Sequence, residues 1–366
     1  MPLFSSFVAL SGRLLRSAGK APEWVSTALE TYLRSGNAYS SSVSAEGIPE
    51  PTYSISAGAL PDGLSLNSAS GAITGTPSVG GSFDFTITAT NALGSVDQAF
   101  TRVVTLPPPS SVQFLIIAGG GGGGTNGGGG GGAGGYKSSV PGELSGRNTA
   151  ILSATSINPG TNYSITVGGG GGIDANGGAS SWAGNSCTGG GWGATSGYTM
   201  THPNGGPGGS GGGGGAYAPA DPSSSGGSGT TAQGYPGGSA SSNTTRYAAA
   251  GGGGAAGPGG GAVVNAGKNV RGAGGAGLAS SITGTSVTRA YGSGGNQPGP
   301  GVANHGNGGG GSYSGGGSGV VILRGPASTS PPTTIAAGLS YSSANSNSNY
   351  WVYEFTSGSG NVSWSP

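Results

Sequence analysis

Between residues 118 and 135 the chain reads AGGGGGGTNGGGGGGAGG. No other stretch limits the possible folds as strongly. Glycine loses more backbone entropy on folding than any other residue and brings no side chain to bury. Such a run is either a disordered linker or part of a structure held together by backbone groups. Its flanks decide between the two. Residues 112–118, VQFLIIA, read as a buried strand running straight into the glycines, and residues 319–324, GVVILR, read as a matching strand leaving the last glycine block. Residues 163–167, YSITV, feed another block, with residues 150–153 as a candidate partner across an Asn-Pro-Gly turn. A linker has no use for apolar strands at both ends, whereas a folded domain does.

The chain has 366 residues and 88 glycines. Eleven glycines precede Val112 and three follow Pro326, so the stretch between is about one-third glycine. They come in blocks rather than at every third position, which excludes a collagen triple helix. With 12 basic and 11 acidic side chains the net charge is +1. A nucleic-acid binder would show a basic stripe, so nucleic acid is not an expected partner. A single Cys187 rules out an intrachain disulfide and cysteine-based metal clusters.

Residues 1–20 place Arg13, Arg16 and Lys20 after the apolar part, the reverse of a secretory signal. They read as an attachment arm. From residue 21 to residue 106 short alternating strands are separated by Gly/Pro turns, as in a small antiparallel β-sandwich. Residues 24–33 taken alone have helical periodicity, through Trp24, Ala28, Leu29 and Tyr32. Residues 107–111 form a Pro-rich hinge. After Pro326 a Ser/Thr/Pro spacer leads to residues 350–355 and 361–364, which read as a terminal hairpin turning at residues 357–360.

The run YSISAGALPDGLSLNSASGAITGTPSVGGSFDFTITATNALGSVDQAFTRVV resembles the Ig-like repeat of bacterial and phage surface proteins. The motifs that carry the likeness are Leu60-Pro61-x-Gly63-Leu64, Gly71-x-Ile73-x-Gly75-Thr76-Pro77 and Ala89-Thr90-Asn91. The resemblance implies that Pro22, Glu23 and Trp24 open the first strand, which overrides the helical reading.

The glycine blocks are about as long as strands, and polar loops separate them. A polyproline II-type helix has three residues per turn and no internal hydrogen bonds, so its N–H and C=O groups point outward and must find partners. Packed side by side, such helices bond one another, and only glycine lets the backbones approach closely enough. The succession VQFLIIAGGGGGGTNGGGGGGAGGYKSSV, NYSITVGGGGG, GLASSITGTSVTRAYGSGG and GGGSGVVILRG is similar to the glycine-rich domain of bacteriophage tail-fibre tip adhesins. The resemblance implies polyglycine II helices over residues 112–325, with variable loops at the exposed end that bind host receptors.

The expected fold is therefore mostly β. An Ig-like sandwich (21–106) precedes a glycine-rich polyglycine II domain (112–325) bracketed by strands, and a C-terminal spacer and β-hairpin (326–366) ends the chain. Matches to GxGxxG are empty in so glycine-rich a segment, no GKS/GKT or HExxH occurs, and His202 and His305 are the only histidines. No catalytic residue, cofactor or metal site is expected, and the chain does not read as an enzyme. Candidate receptor-binding residues are the aromatic and basic loop residues Trp182, Trp192, Tyr198, His202, Tyr217, Tyr235, Arg246 and Tyr247. Rigid aromatics beside Ser, Gly and Asn give contact area at low entropy cost. The competing reading of any one ring is that it packs over an end of the glycine lattice.

The expected function is that of a virion protein of a phage tail, a fibre or tip adhesin, acting outside the cell. Its partners would be a host-surface receptor (glycan or outer-membrane protein) and, through the N-terminal region, other tail proteins. A homo-oligomer is expected, a trimer being favoured. The alternatives are an architectural spacer, decoration or baseplate-associated subunit without receptor contact, and a cell-surface or ice-binding adhesive protein.

Overall fold

The structure is a computed structural model that describes residues 19–30, 32–196, 202–217, 223–243, 246–264, 268–344 and 349–366. Apart from Gly19 and Lys20, the expected arm lies outside these residues. The described residues are almost entirely strand and extended chain, with no α-helix and one 3-10 turn at Gly146–Asn148. The chain divides into two compact units between Pro107 and Pro108.

The first unit is a β-sandwich. One sheet orders Tyr32–Arg34, Gly94–Thr105, Gly81–Asn91 and Thr52–Gly58, and a second orders Tyr39–Ser42, Ala72–Gly75 and Leu64–Leu66. Alternation in the sequence sets the core: Phe85, Ile87 and Ala89 point inward from one strand and pack with Leu33, Tyr53, Ile73 and Phe100. Trp24 lies in the strand Lys20–Ser26, as the resemblance implies and against the helical periodicity. Gly63 adopts φ +91°, and a Cβ there would sit 2.1 Å from the Thr76 carbonyl oxygen, which explains the Leu-Pro-x-Gly-Leu turn. Asn91 explains the third motif, because its Nδ2 donates to the carbonyls of Lys20 and Pro49, both at 2.8 Å.

In the second unit the entry strand Ser111–Ile117 pairs antiparallel with the exit strand Val320–Pro326, Phe114 facing Leu323 and Ile117 facing Val320. Both faces of this pair are covered. Phe114, Ile116, Val321 and Leu323 pack with Trp182, Phe355 and Trp364. On the other face Leu115, Ile117, Val320 and Ile322 pack with Tyr136, Ile282 and Val352. A strand buried on two faces reads as a continuous apolar run rather than an alternation, which is why VQFLII has no polar phase.

Two expectations fail here. Residues 350–364 are not a hairpin: Tyr350–Ser363 is one closing strand that pairs with the exit strand through one half and with Tyr163–Val167 through the other. The Ser-Gly-Ser-Gly stretch is glycine-rich for close approach, since a Cβ on Gly358 (φ +93°) would lie 1.9 Å from the Gly338 carbonyl oxygen. The closing strand's hairpin partner is instead Leu339–Ala344. Residues 150–153 form no strand, and Tyr163–Val167 pairs with the closing strand and Ser180–Trp182.

The glycine segments are neither helix nor strand by hydrogen-bond pattern, yet their buried backbones bond extensively to one another. The N–H groups of Gly119 and Gly122 donate to Gly178 and Ala175; those of Gly120 and Gly123 donate to Gly317 and Ser314; those of Gly121 and Gly124 donate to Gly132 and Gly129. All six bonds measure 2.8–3.0 Å. The partner segment thus repeats with a period of three. A Cβ on Gly119, Gly120 or Gly121 would fall 1.9, 2.0 or 2.2 Å from the carbonyl oxygen of Gly169, Asn307 or Gly191. Segment 118–124 is therefore a hub surrounded by six others, three receiving its N–H groups and three filling the space where side chains would be.

Candidate functional site

Two glycine segments that leave the apolar sheet, 118–124 and 168–172, are followed by a turn and a segment that comes back to it. Segment 118–124 leaves the entry strand, and segment 128–135 returns to Tyr136–Ser138, which pairs with that same strand. The turn between them, residues 125–127, therefore lies at the end of the lattice remote from the sheet. Other turns meet it there. Tyr313 Oη donates to Asn126 Oδ1 at 2.6 Å, and the Ser196 N–H donates to the Thr125 carbonyl at 3.2 Å. Thr195 Oγ1 donates to Asp174 Oδ1 at 3.0 Å, and Ser312 Oγ to Asn296 Oδ1 at 2.8 Å. A Cβ on Gly127 would lie 3.3 Å from the Tyr247 ring, which stacks on Tyr217 with centroids 4.9 Å apart.

Four of these turns contain a residue in left-handed backbone: Asn126 (φ 54°), Asp174 (φ 56°), Asn296 (φ 45°) and Tyr313 (φ 58°). Asn and Asp tolerate this region because their short polar side chains bond locally. Tyrosine does not, and Tyr313 is also 57% exposed. It holds an aromatic ring toward solvent at a conformational cost of about 1–2 kcal/mol.

The predicted residues fall into three groups. Trp192, His202, Tyr217, Arg246 and Tyr247 lie at or beside this tip. The Trp192 and His202 rings pack with centroids 4.8 Å apart, and the His202 carbonyl accepts the Thr195 N–H at 2.9 Å, which ties the pair to the tip turns. Trp192 Nε1 donates to the Asn204 carbonyl at 3.3 Å. Arg246 is exposed, and its carbonyl accepts the Ser242 hydroxyl at 2.9 Å.

Trp182 and Tyr235 are placed elsewhere. Trp182 is not a loop residue: it is fully buried in the strand Ser180–Trp182, packs on Tyr163 and donates from Nε1 to Thr155 Oγ1 at 2.8 Å. Tyr235 sits away from the tip, with Arg147 over its ring and its hydroxyl accepting from Asn148 Nδ2 at 3.3 Å. Tyr198 lies outside the described residues. Sequence reasoning passes over Asn126, Asp174, Asn296 and Tyr313, although each interrupts a glycine block, and that interruption is the signal that finds them.

Among the described residues no group of three or more His, Cys, Asp or Glu is placed to hold a metal ion.

The family model described as Putative Ig domain matches residues 21–105, and this part of the chain is an Ig-like domain. No curated protein matches the chain. Among solved structures, a putative alpha-galactosidase from Bacteroides fragilis NCTC 9343 is similar at 23% identity, over 25% of this chain and 20% of its own, with a TM-score of 0.21. The chain spans about a fifth of that protein's length, and so low a TM-score carries no argument.

Proposed function

We propose that the glycine segments are packed polyglycine II helices, and that the chain is a structural protein of a bacteriophage tail, a fibre or tip adhesin that binds the host surface through the turns around Asn126. The period-three change of hydrogen-bond partner along residues 119–124 supports the first part, because a polyglycine II helix has three residues per turn. The observation that carries the second is the gathering of aromatic and amide-bearing turns at the end of the lattice remote from the apolar sheet. Loops mounted on a rigid scaffold suit recognition, and here the scaffold consumes almost no side chains. In this reading the Ig-like domain and the residues before it attach the protein to other tail proteins, in a homo-oligomer with three copies.

The test is saturable binding of the fluorescently labelled full-length chain to candidate host bacteria. Wild type should bind, and the double variant Tyr247→Ala/Tyr313→Gly should bind at least tenfold more weakly while its far-UV spectrum and the fluorescence of the buried Trp182 and Trp364 stay those of the folded protein. A folded chain that binds none of the hosts would favour an architectural spacer.

A further inference from the structure

Beside the tip, the strands Ser223–Ser224, Ala240–Ser242 and Ala262–Val264 lie next to one another. Ser223 stands opposite Ser241, and Ser241 stands opposite Val263. The alternate residues Ser224, Ala240, Ser242, Ala262 and Val264 are buried, so Ser223, Ser241 and Val263 form an outward row. Ser225 and Ser239 form a second exposed row one step along the same segments. Together with Asn204 these rows line a groove of about 510 Å³, within the range of pockets that hold small ligands.

The polar groups of the groove have different duties. Ser224 is structural: its hydroxyl donates to the Pro203 carbonyl at 2.6 Å and accepts the Gly215 N–H at 3.1 Å. Asn204 Oδ1 accepts the Ser225 N–H at 2.8 Å, which fixes the amide and turns its NH2 away from that bond. The hydroxyls of Ser223, Ser225 and Ser241 have no hydrogen-bond partner among the described residues.

We propose that this groove binds a neutral glycan. Each free hydroxyl both donates and accepts, as a sugar hydroxyl does, so the groove matches a ligand whose own groups are hydroxyls. Neighbouring strands stand about 4.8 Å apart, so the ladder repeats at a regular step along an extended ligand. Among the described residues no charged side chain lines the groove, which argues against a polyanion, and the one large apolar group among them, Val263 at 54% exposure, suits the C–H face of a sugar ring. The groove is separate from the Asn126 turns, so this inference does not depend on receptor contact at the tip.

The experiment applies the full-length chain to a printed array of neutral and acidic glycans, then titrates each retained glycan by calorimetry against wild type and the variant S223A/S241A. The expected result is retention of neutral glycans and at least tenfold weaker binding by the variant, whose melting temperature is unchanged. Retention of acidic glycans only, no retention, or neutral binding unaltered in the variant would each overturn the proposal. The same variant in the cell-binding assay separates the two readings: loss of glycan with retained cell binding leaves the tip as a receptor site, and loss of both makes the groove part of it.

Discussion

Replacing Gly121 by alanine tests whether backbone contact holds the glycine lattice together. The new Cβ would sit 2.2 Å from the Gly191 carbonyl oxygen and 2.6 Å from that of Gly190, where an ordinary contact begins near 3.4 Å. The neighbouring segment must then move by roughly 1 Å. Gly190 and Gly191 make four bonds: Gly191 accepts from Gly132 at 2.8 Å and donates to Ser210 at 2.9 Å, and Gly190 donates to Gly119 at 2.8 Å and accepts from Gly177 at 3.0 Å. Losing two of them leaves buried groups unsatisfied at about 1–3 kcal/mol each, so the variant should be destabilised by about 2–6 kcal/mol. For a unit of this size that is a fall in melting temperature of roughly 5–20 °C. The control is Gly169→Ala. A Cβ at Gly169 meets nothing within 4 Å, and its backbone is not left-handed. There alanine should stabilise by about 0.4–1 kcal/mol by restricting the unfolded chain. Thermal unfolding of the full-length variants, followed by fluorescence of the buried Trp182 and Trp364, reads the difference. If Gly121→Ala melts together with Gly169→Ala, the close-approach argument is wrong.

Three further outcomes are expected. A fragment of residues 112–325 lacks the closing strand and should remain protease-sensitive, whereas residues 108–366 should resist digestion. Burial pushes the Cys187 thiol up to about 12, so a thiol reagent at pH 8 should label the protein only after denaturation. Burial, then the charge of Arg289, holds the His305 imidazole below its ordinary value. The unfolded chain therefore takes up this proton first as pH falls through about 6.5, and stability contributed above that pH is lost below it; in His305→Gln the stability-versus-pH curve over this window should be flatter.

The parts of the fold legible in the sequence are those where a local pattern and the tertiary environment agree. Alternation over residues 83–90 predicts a half-buried strand, and Phe85, Ile87 and Ala89 are its buried members. The apolar runs at 112–118 and 319–324 predict paired strands around the glycines, and they pair residue for residue. Where local and distant demands conflict, the sequence misleads. Ser357 to Gly360 has turn composition, but its glycines serve a carbonyl at Gly338 and a strand at Tyr163–Val167. Trp182 stands among Ser, Ala and Gly as a loop aromatic would, yet it packs on the Tyr163 ring and shares a buried core with Trp364, neither of which any local window contains. The tip is the hardest feature to read. One glycine block looks like another, so nothing in the sequence says which turns share an end. Only the hydrogen-bond partners join Asn126 to Tyr313, which are 187 residues apart.

The six-neighbour hub at residues 118–124 also shapes how the protein responds to temperature. Unfolding an ordinary domain exposes apolar surface, which raises its heat capacity, while exposed polar surface lowers it. A hub of bare backbone hides peptide groups and hardly any hydrocarbon. Residue for residue, its melting should therefore carry a smaller heat-capacity increment than that of the Ig-like domain. A smaller increment flattens the curve of stability against temperature, so the hub's share of the stability should change little between cold and warm.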